Sequence, residues 1–373
     1  MAFKAVRFTT QPNQAEFFGT LRKRVSDYFE TNNISKHANG AMVFKSIALL
    51  LIYLVPFTLI LTSTFSSNFA NLVLWGIMGI GMAGLGLSVM HDANHGAYSS
   101  NQRVNKIVGA VMYLIGGIPS NWRIQHNILH HSFTNVDGLD EDIQPAALLR
   151  FSPTKPRKKI HRFQHIYVWP LYTLMTVLWS TTKDFKQVSR YNKMGLNKTQ
   201  NRSYRSLLIE LILSKIGYYL VFLVLPLVLS NSPWYITVSG YIMMHLMTGF
   251  ILAVIFQPAH VMPNLVFVVP TEKGTVENSW AIHELQTTSN FAPNNKILNW
   301  YVGGLNFQVE HHLFPNICHI HYKKLSSIVE QTAKEFGLPY HSIPTFRKAI
   351  YEHSKMLKKL GREDWETPNL VVA

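Results

Sequence analysis

Apolar residues fall in long blocks rather than at amphipathic spacing. Segments 46–65 and 72–90 are nearly free of charge and close to the ~20 residues a helix needs to cross a bilayer. Segment 234–256 is a third such block. A fourth, 207–230, has Glu210 and Lys215 near its start, where the two can snorkel to headgroups or pair with each other. A large core in a soluble protein would not need charge-free runs of this length. Turns at 66–71 and 231–233 join the four spans into two hairpins. Segment 14–31 has the spacing of a short amphipathic helix, and 107–118 is apolar but too short to cross, as in a re-entrant or interfacial piece. Segment 166–180 is interrupted by Pro170 and predicts a helix lying in the interface, anchored by Trp169 and Trp179, with a fifth span as the rival reading. Segment 183–205 is polar and basic, as in a solvated connector. Segments 322–337 and 345–361 have helical spacing with many Lys and Glu.

Charge orients this frame. No Lys or Arg lies between Ser46 and Ser100, and neither hairpin turn carries one. Almost all of the 35 basic residues lie in 1–45, 101–205 and 257–373, which the positive-inside rule makes cytoplasmic. The net charge of +15 is therefore mainly topology, with a secondary role in holding anionic headgroups, a CoA phosphate or an acidic redox partner. Basic residues scattered over three segments that flank spans do not point to nucleic acid. No cleavable signal peptide is apparent in the polar first 45 residues. The expected fold is an all-α integral membrane protein with four transmembrane helices in two hairpins and a cytoplasmic helical cap that holds a dimetal site. Its parts are an N-terminal cytoplasmic segment 1–45, a membrane domain 46–318 and C-terminal helices 319–373.

The chemistry is carried by histidine. His91 and His95 stand four apart just past the second span, so on a helix they share a face. His126 and His130 repeat that spacing, with His131 turned about 100° away so that one helix can serve two metals. His311 and His312 form a third cluster, and His260 follows the fourth span. Chance predicts about 0.04 runs of the H-x-x-x-H-H type in a chain with 17 His, so the pattern is a signal. Neutral imidazole is a common metal ligand. Eight histidines exceed what one ion takes and imply two metals, with Gln308 as a further candidate ligand. The single cysteine, Cys318, allows neither an intramolecular disulfide nor a thiolate site. No E-x-x-H occurs, so the carboxylate-rich di-iron bundle design is excluded.

The three clusters and their placement around two hairpins resemble the membrane fatty acid desaturases of the histidine-rich di-iron class, from about Asn39 to Cys318. Asn121-Trp-Arg123, Thr134-Asn-Val-Asp137 and the run from Asn306 to Pro315 carry the likeness. Gln308 in place of a histidine resembles the front-end group, which inserts a double bond between an existing one and the carboxyl end. The resemblance implies two iron ions, dioxygen as co-substrate, and hydrogen abstraction from adjacent methylenes to give a cis alkene. Neighbouring methylenes are chemically alike, so positioning must select among them, in a narrow apolar tunnel with Trp122 and Trp280 as wall candidates. No His-Pro-Gly-Gly haem motif is present. A separate electron donor, a ferredoxin or a b-type cytochrome, is therefore expected, and a bacterial cytoplasmic membrane is the favoured location. The acyl substrate could arrive on CoA, a lipid or a carrier protein.

Ligating imidazoles usually donate their second ring N–H to a carboxylate or carbonyl, which makes Asp92, Asp137, Asp140, Asp142, Glu310 and Gln257 candidates for that role, Asp92 and Asp137 favoured over a helix-capping role. For Asp140, Glu141 and Asp142 a solvated acidic turn is at least as good a reading. His245, inside the fourth span, reads as a neutral ring bonded to a neighbouring helix. His161, His165, His319, His321, His341 and His353 lie in polar segments and are expected at the surface, and His283 is expected not to bind metal. Two alternatives remain: a di-iron lipid hydroxylase on the same frame, and a non-catalytic membrane protein that binds haem or zinc through histidine.

Overall fold

The structure, a computed structural model, describes residues 6–10, 12–145, 147–363 and 370–372. It is mostly helical and divides into two compact units.

Residues 38–124 and 169–254 form the first unit. Among the described residues four helices are long and apolar enough to cross a membrane: Gly40–Leu61, Asn68–Asn94, Tyr204–Leu229 and Trp234–His260, the last running on past the unit. Their starts are set by side chains, since Asn39 and Ser67 accept the backbone N–H of Met42 and Ala70 at 3.2 and 3.3 Å. Phe44, Ile47, Leu51 and Val55 stand exposed on one helix, and Phe69, Val73, Ile77 and Ile80 on the next. Such apolar stripes at helical spacing suit contact with acyl chains. The first two helices touch backbone to backbone at Gly81, where an added Cβ would lie 2.7 Å from the Tyr53 nitrogen.

Two expectations for this unit are corrected. Glu210 and Lys215 do not pair with each other. Glu210 is bridged to Arg202 at 2.8 Å and accepts from the Tyr113 hydroxyl at 2.7 Å, while Lys215 binds buried Asp184 at 2.7 Å. Nor is 183–205 a solvated connector. Asp184–Met194 is a helix with Asp184, Gln187, Val188 and Tyr191 buried, because the Lys215 charge inside the helical frame requires an anion. His245 is a neutral-type ring held on both sides, by the Tyr218 hydroxyl at 3.0 Å and Thr176 Oγ1 at 3.3 Å.

Segments 4–37, 125–168 and 255–373, as far as they are described, form the second unit. Helix Pro12–Thr31 buries Phe17, Leu21 and Val25, four apart, in a core with Leu285, Val309, Leu313, Leu325 and Val329. These apolar residues come from the helices Trp280–Thr287, Gln308–Leu313 and Tyr322–Glu335. Three short parallel strand pairs tie distant segments together, such as Arg7–Thr9 against Thr275–Glu277. Helix Phe346–Arg362 is pinned by His353, whose Nδ1 donates to the Val261 carbonyl at 2.9 Å. His353, His161 and His319 are thus buried rather than at the surface. A neutral ring with a backbone partner is tolerated inside, and polar neighbours in sequence do not reveal that.

Candidate metal centre

In the first unit His91 and His95 end the second apolar helix, their rings 4.7 Å apart and edge to face. Both are packed by Trp122, whose ring lies 5.4 and 5.3 Å from theirs. Asp92 stands beside the pair, Oδ1 3.9 Å from His91 Nδ1. Between the two histidines, Asn94 donates to the Met90 and Gly109 carbonyls and accepts from Arg123 at 3.1 Å.

The second unit concentrates the remaining imidazoles. His126, His130, His131, His260, His311 and His312 are all buried. His130, His260 and His312 can each offer one nitrogen within 4.8 Å of the others, as can His131, His311 and His312. His131 Nε2 lies 2.9 Å from His311 Nε2 and 3.2 Å from His126 Nε2. Two nitrogens bound at right angles to one ion, each at about 2.1 Å, would stand about 3 Å apart.

Local backbone geometry differs from the even α-helical spacing. Ile124–His130 is a π-helix, and the His131 N–H donates to the His126 carbonyl five residues back at 2.9 Å. In that wider winding residue i+5 as well as i+4 comes round beside residue i, and the His126 ring lies 4.6 Å from that of His131 and 5.4 Å from that of His130. His126 therefore meets His131 nitrogen to nitrogen, where even helical spacing turns His131 away from it. A second π-turn, Leu85–Val89, precedes His91.

Buried groups orient the rings through their far nitrogens. His130 Nδ1 donates to Asp140, 3.1 and 3.2 Å from its two oxygens. His312 Nδ1 donates to Glu284 at 2.7 Å, and Thr134 Oγ1 donates to the same oxygen at 2.9 Å. His260 Nδ1 is 3.3 Å from the Thr287 carbonyl. In each neutral ring this fixes the tautomer and makes Nε2 the atom that could bind a metal. Among the described residues His260 Nε2 is buried and makes no hydrogen bond of good geometry, though the Gln308 side chain acts on the ring. An all-nitrogen donor set with carboxylates behind it fits a divalent first-row metal such as iron.

Without a metal, the electrostatics favour a proton on His130, which a bound cation would displace from Nε2. Burial opposes charge on the His130 ring, but Asp140, Asp142 and Glu284 outweigh it and hold its pKa up at about 9. Burial pushes the Glu284 carboxyl well above the usual range, with Thr134 and His130 pulling the other way. A cation among these nitrogens would favour the ionised form of Glu284.

The other expected residues lie as follows. Asp137 faces Lys155 at 3.2 Å and Thr154 at 2.8 Å, not a histidine. Gln257 donates weakly to the Asp142 carbonyl at 3.5 Å. Gln308 is buried one turn before His312. Trp280 donates its Nε1–H to the His131 carbonyl at 2.9 Å. His283 donates to the Thr134 carbonyl at 2.7 Å, and burial pushes its pKa down to about 4. Of the two orienting groups, Asp140 takes one of the two readings open from sequence, and Glu284 is not expected from it. Asp140 is fully buried rather than part of a solvated turn, and Glu284 carried no signal beyond its place next to His283.

A family model for fatty acid desaturases matches residues 67–344. The chain belongs to the fatty acid desaturase family. It is a fatty acyl desaturase, an oxidoreductase of lipid metabolism. Its relatives include the sn-1 linoleoyl-lipid 6-desaturase of Synechocystis sp., 35% identical over 93% of this chain and 96% of that one. The same-named protein of Arthrospira platensis is 34% identical over 91% of each chain. An acyl-lipid (8-3)-desaturase of Physcomitrium patens is 36% identical over 93% of this chain and 72% of that one.

Proposed function

We propose that this desaturase works as a front-end enzyme on lipid-linked acyl chains, placing a cis double bond between an existing one and the carboxyl end. Support for the lipid-linked substrate comes from the relatives, whose names specify linoleoyl-lipid or acyl-lipid substrates, and support for the front-end position from Gln308. The observation that carries the chemistry is the buried nitrogen cluster with Asp140 and Glu284 on its far ring atoms. We assign two irons to His91, His95, His126, His130, His131, His260, His311 and His312, with Gln308 as a further candidate.

Bound iron would supply the activation of dioxygen that removal of hydrogen from an unactivated methylene requires. The protein's own part is positioning and proton control. Asp140 and Glu284 keep His130 and His312 in the tautomer that presents Nε2. Thr134 Oγ1 lies 2.8 Å from the His130 carbonyl and 2.9 Å from Glu284, and its single hydroxyl hydrogen is shared between the second and third histidine clusters. Burial of the His126, His130, His131, His260, His311 and His312 rings keeps bulk water from the reacting carbons. The membrane orientation assigned to this chain puts both termini and the histidines on the cytoplasmic side of a bacterial membrane, where a separate electron donor reaches them.

The test is expression in a host that lacks polyunsaturated lipids, with monounsaturated and diunsaturated acids supplied and intact lipids analysed by mass spectrometry. The expected product carries a new double bond on the carboxyl side of an existing one, in glycerolipid rather than free or CoA-bound acid. A new bond on the methyl side, or none with any acyl chain, refutes the reading.

A further inference from the structure

The second unit has an open groove of about 520 Å³ floored by Phe18, Trp280, Leu313 and Phe314. Its rim carries Arg22 and Lys36, with Glu30 as the one acid. The floor is an aromatic stack. The Arg22 guanidinium lies 5.2 Å over the Phe18 ring, Phe18 meets Trp280 edge-on at 5.5 Å, and Phe314 lies 6.3 Å from Phe18. The stack leads inward. Trp280 Nε1–H is bonded to the carbonyl of His131, and Leu313 and Phe314 directly follow His312.

We infer that this groove is where a small acidic one-electron carrier protein docks, and that Trp280 joins it to the histidine cluster. The inference rests on the desaturase reading and adds the site of electron entry. Desaturation needs an outside reductant: R–CH2–CH2–R′ + O2 + 2 e− + 2 H+ gives R–CH=CH–R′ + 2 H2O. Dioxygen takes four electrons, two from the acyl chain and two from the carrier, which is oxidised in two single steps. A carrier must therefore approach the cluster twice per turnover. An apolar aromatic floor with an Arg at its edge has the composition of an interface centre. The cationic rim, on a chain of net charge +15, selects an acidic partner and speeds its arrival.

The test uses the full chain in nanodiscs, an acidic 2Fe–2S ferredoxin as probe, and its dissociation constant at low and high salt. The double variant R22E/K36E is expected to bind about tenfold or more weakly and to lose most of the salt dependence. Trp280→Phe, which keeps an aromatic ring but deletes the bond to His131, is expected to oxidise reduced ferredoxin several-fold more slowly even when ferredoxin saturates the site. Unchanged iron content in R22E/K36E shows that the variant is folded. Binding of ferredoxin that is equal in R22E/K36E and wild type, absent from wild type, or weakened as much by the control K186E/R190E overturns the inference. If the expression experiment gives a new double bond while donor binding ignores Arg22 and Lys36, only the groove fails. If no double bond forms, the desaturase reading itself fails.

Discussion

At the scale of single residues, the clustered histidines and the groups that orient them differ in how far they could be read from sequence. The histidines were legible because neutral imidazole is a specific ligand and eight of them at short spacings are improbable by chance. Their supports were not. Asp140 lies ten residues from His130, in an acidic run that has the composition of a solvated turn, and Glu284 reaches His312 from another helix. Only folding shows which of several nearby acids is buried against a ring. The assignment has a consequence for metal retention. Asp140→Asn preserves shape and one acceptor oxygen but removes the charge that raises the basicity of His130. It should weaken iron binding roughly 10–100-fold, measured as the chelator concentration that strips half the metal. Asp137→Asn, which touches Lys155 and Thr154 instead, should leave that concentration unchanged. Equal loss in both variants would contradict an orienting role for Asp140.

At the scale of elements, the long spans were plain from apolar length, and the first helix from its four-residue spacing of Phe17, Leu21 and Val25. Winding was not plain. An H-x-x-x-H-H run looks like two ligands on one α-helical face, whereas the π-turn brings His126 to His131. Single-sequence spacing assumes uniform geometry and cannot register one added residue per turn. Segment 183–205 was misjudged because its polarity hid the anion that Lys215 demands. The C-terminal helix makes a pH prediction. Burial pushes the His353 pKa down to about 4, below its usual value near 6.5, so the folded protein binds fewer protons than the unfolded chain in that interval. The stability from this neutral ring is fully present above about pH 6.5 and is lost as pH falls toward 4, up to about 3 kcal/mol. Thermal unfolding of His353→Gln should show a shallower decline over that window than wild type. An identical slope would mean that His353 does not titrate with unfolding.

At the scale of the whole molecule, charge distribution gave an orientation that geometry does not address. Four spans with no basic residue from Ser46 to Ser100 predict that both hairpin turns face away from the cytoplasm. In a Cys318→Ser background, a cysteine placed at Ser66 should react with an impermeant thiol reagent in intact cells. One placed at exposed Lys355 should react only after permeabilisation. The reverse pattern would invert the topology and remove the case for a cytoplasmic donor. What the sequence could not supply at this scale was the division into units. The second unit is assembled from three separated stretches of chain, so no single run of composition marks it.

The two-iron assignment is decided by the metal content of active protein. Iron measured in desaturase purified in nanodiscs, alongside turnover of the same sample, should approach two ions per chain. His312→Ala, which removes a nitrogen within reach of both described clusters, should lower the iron and abolish turnover. Full desaturation by wild-type protein holding one iron or none would contradict the assignment.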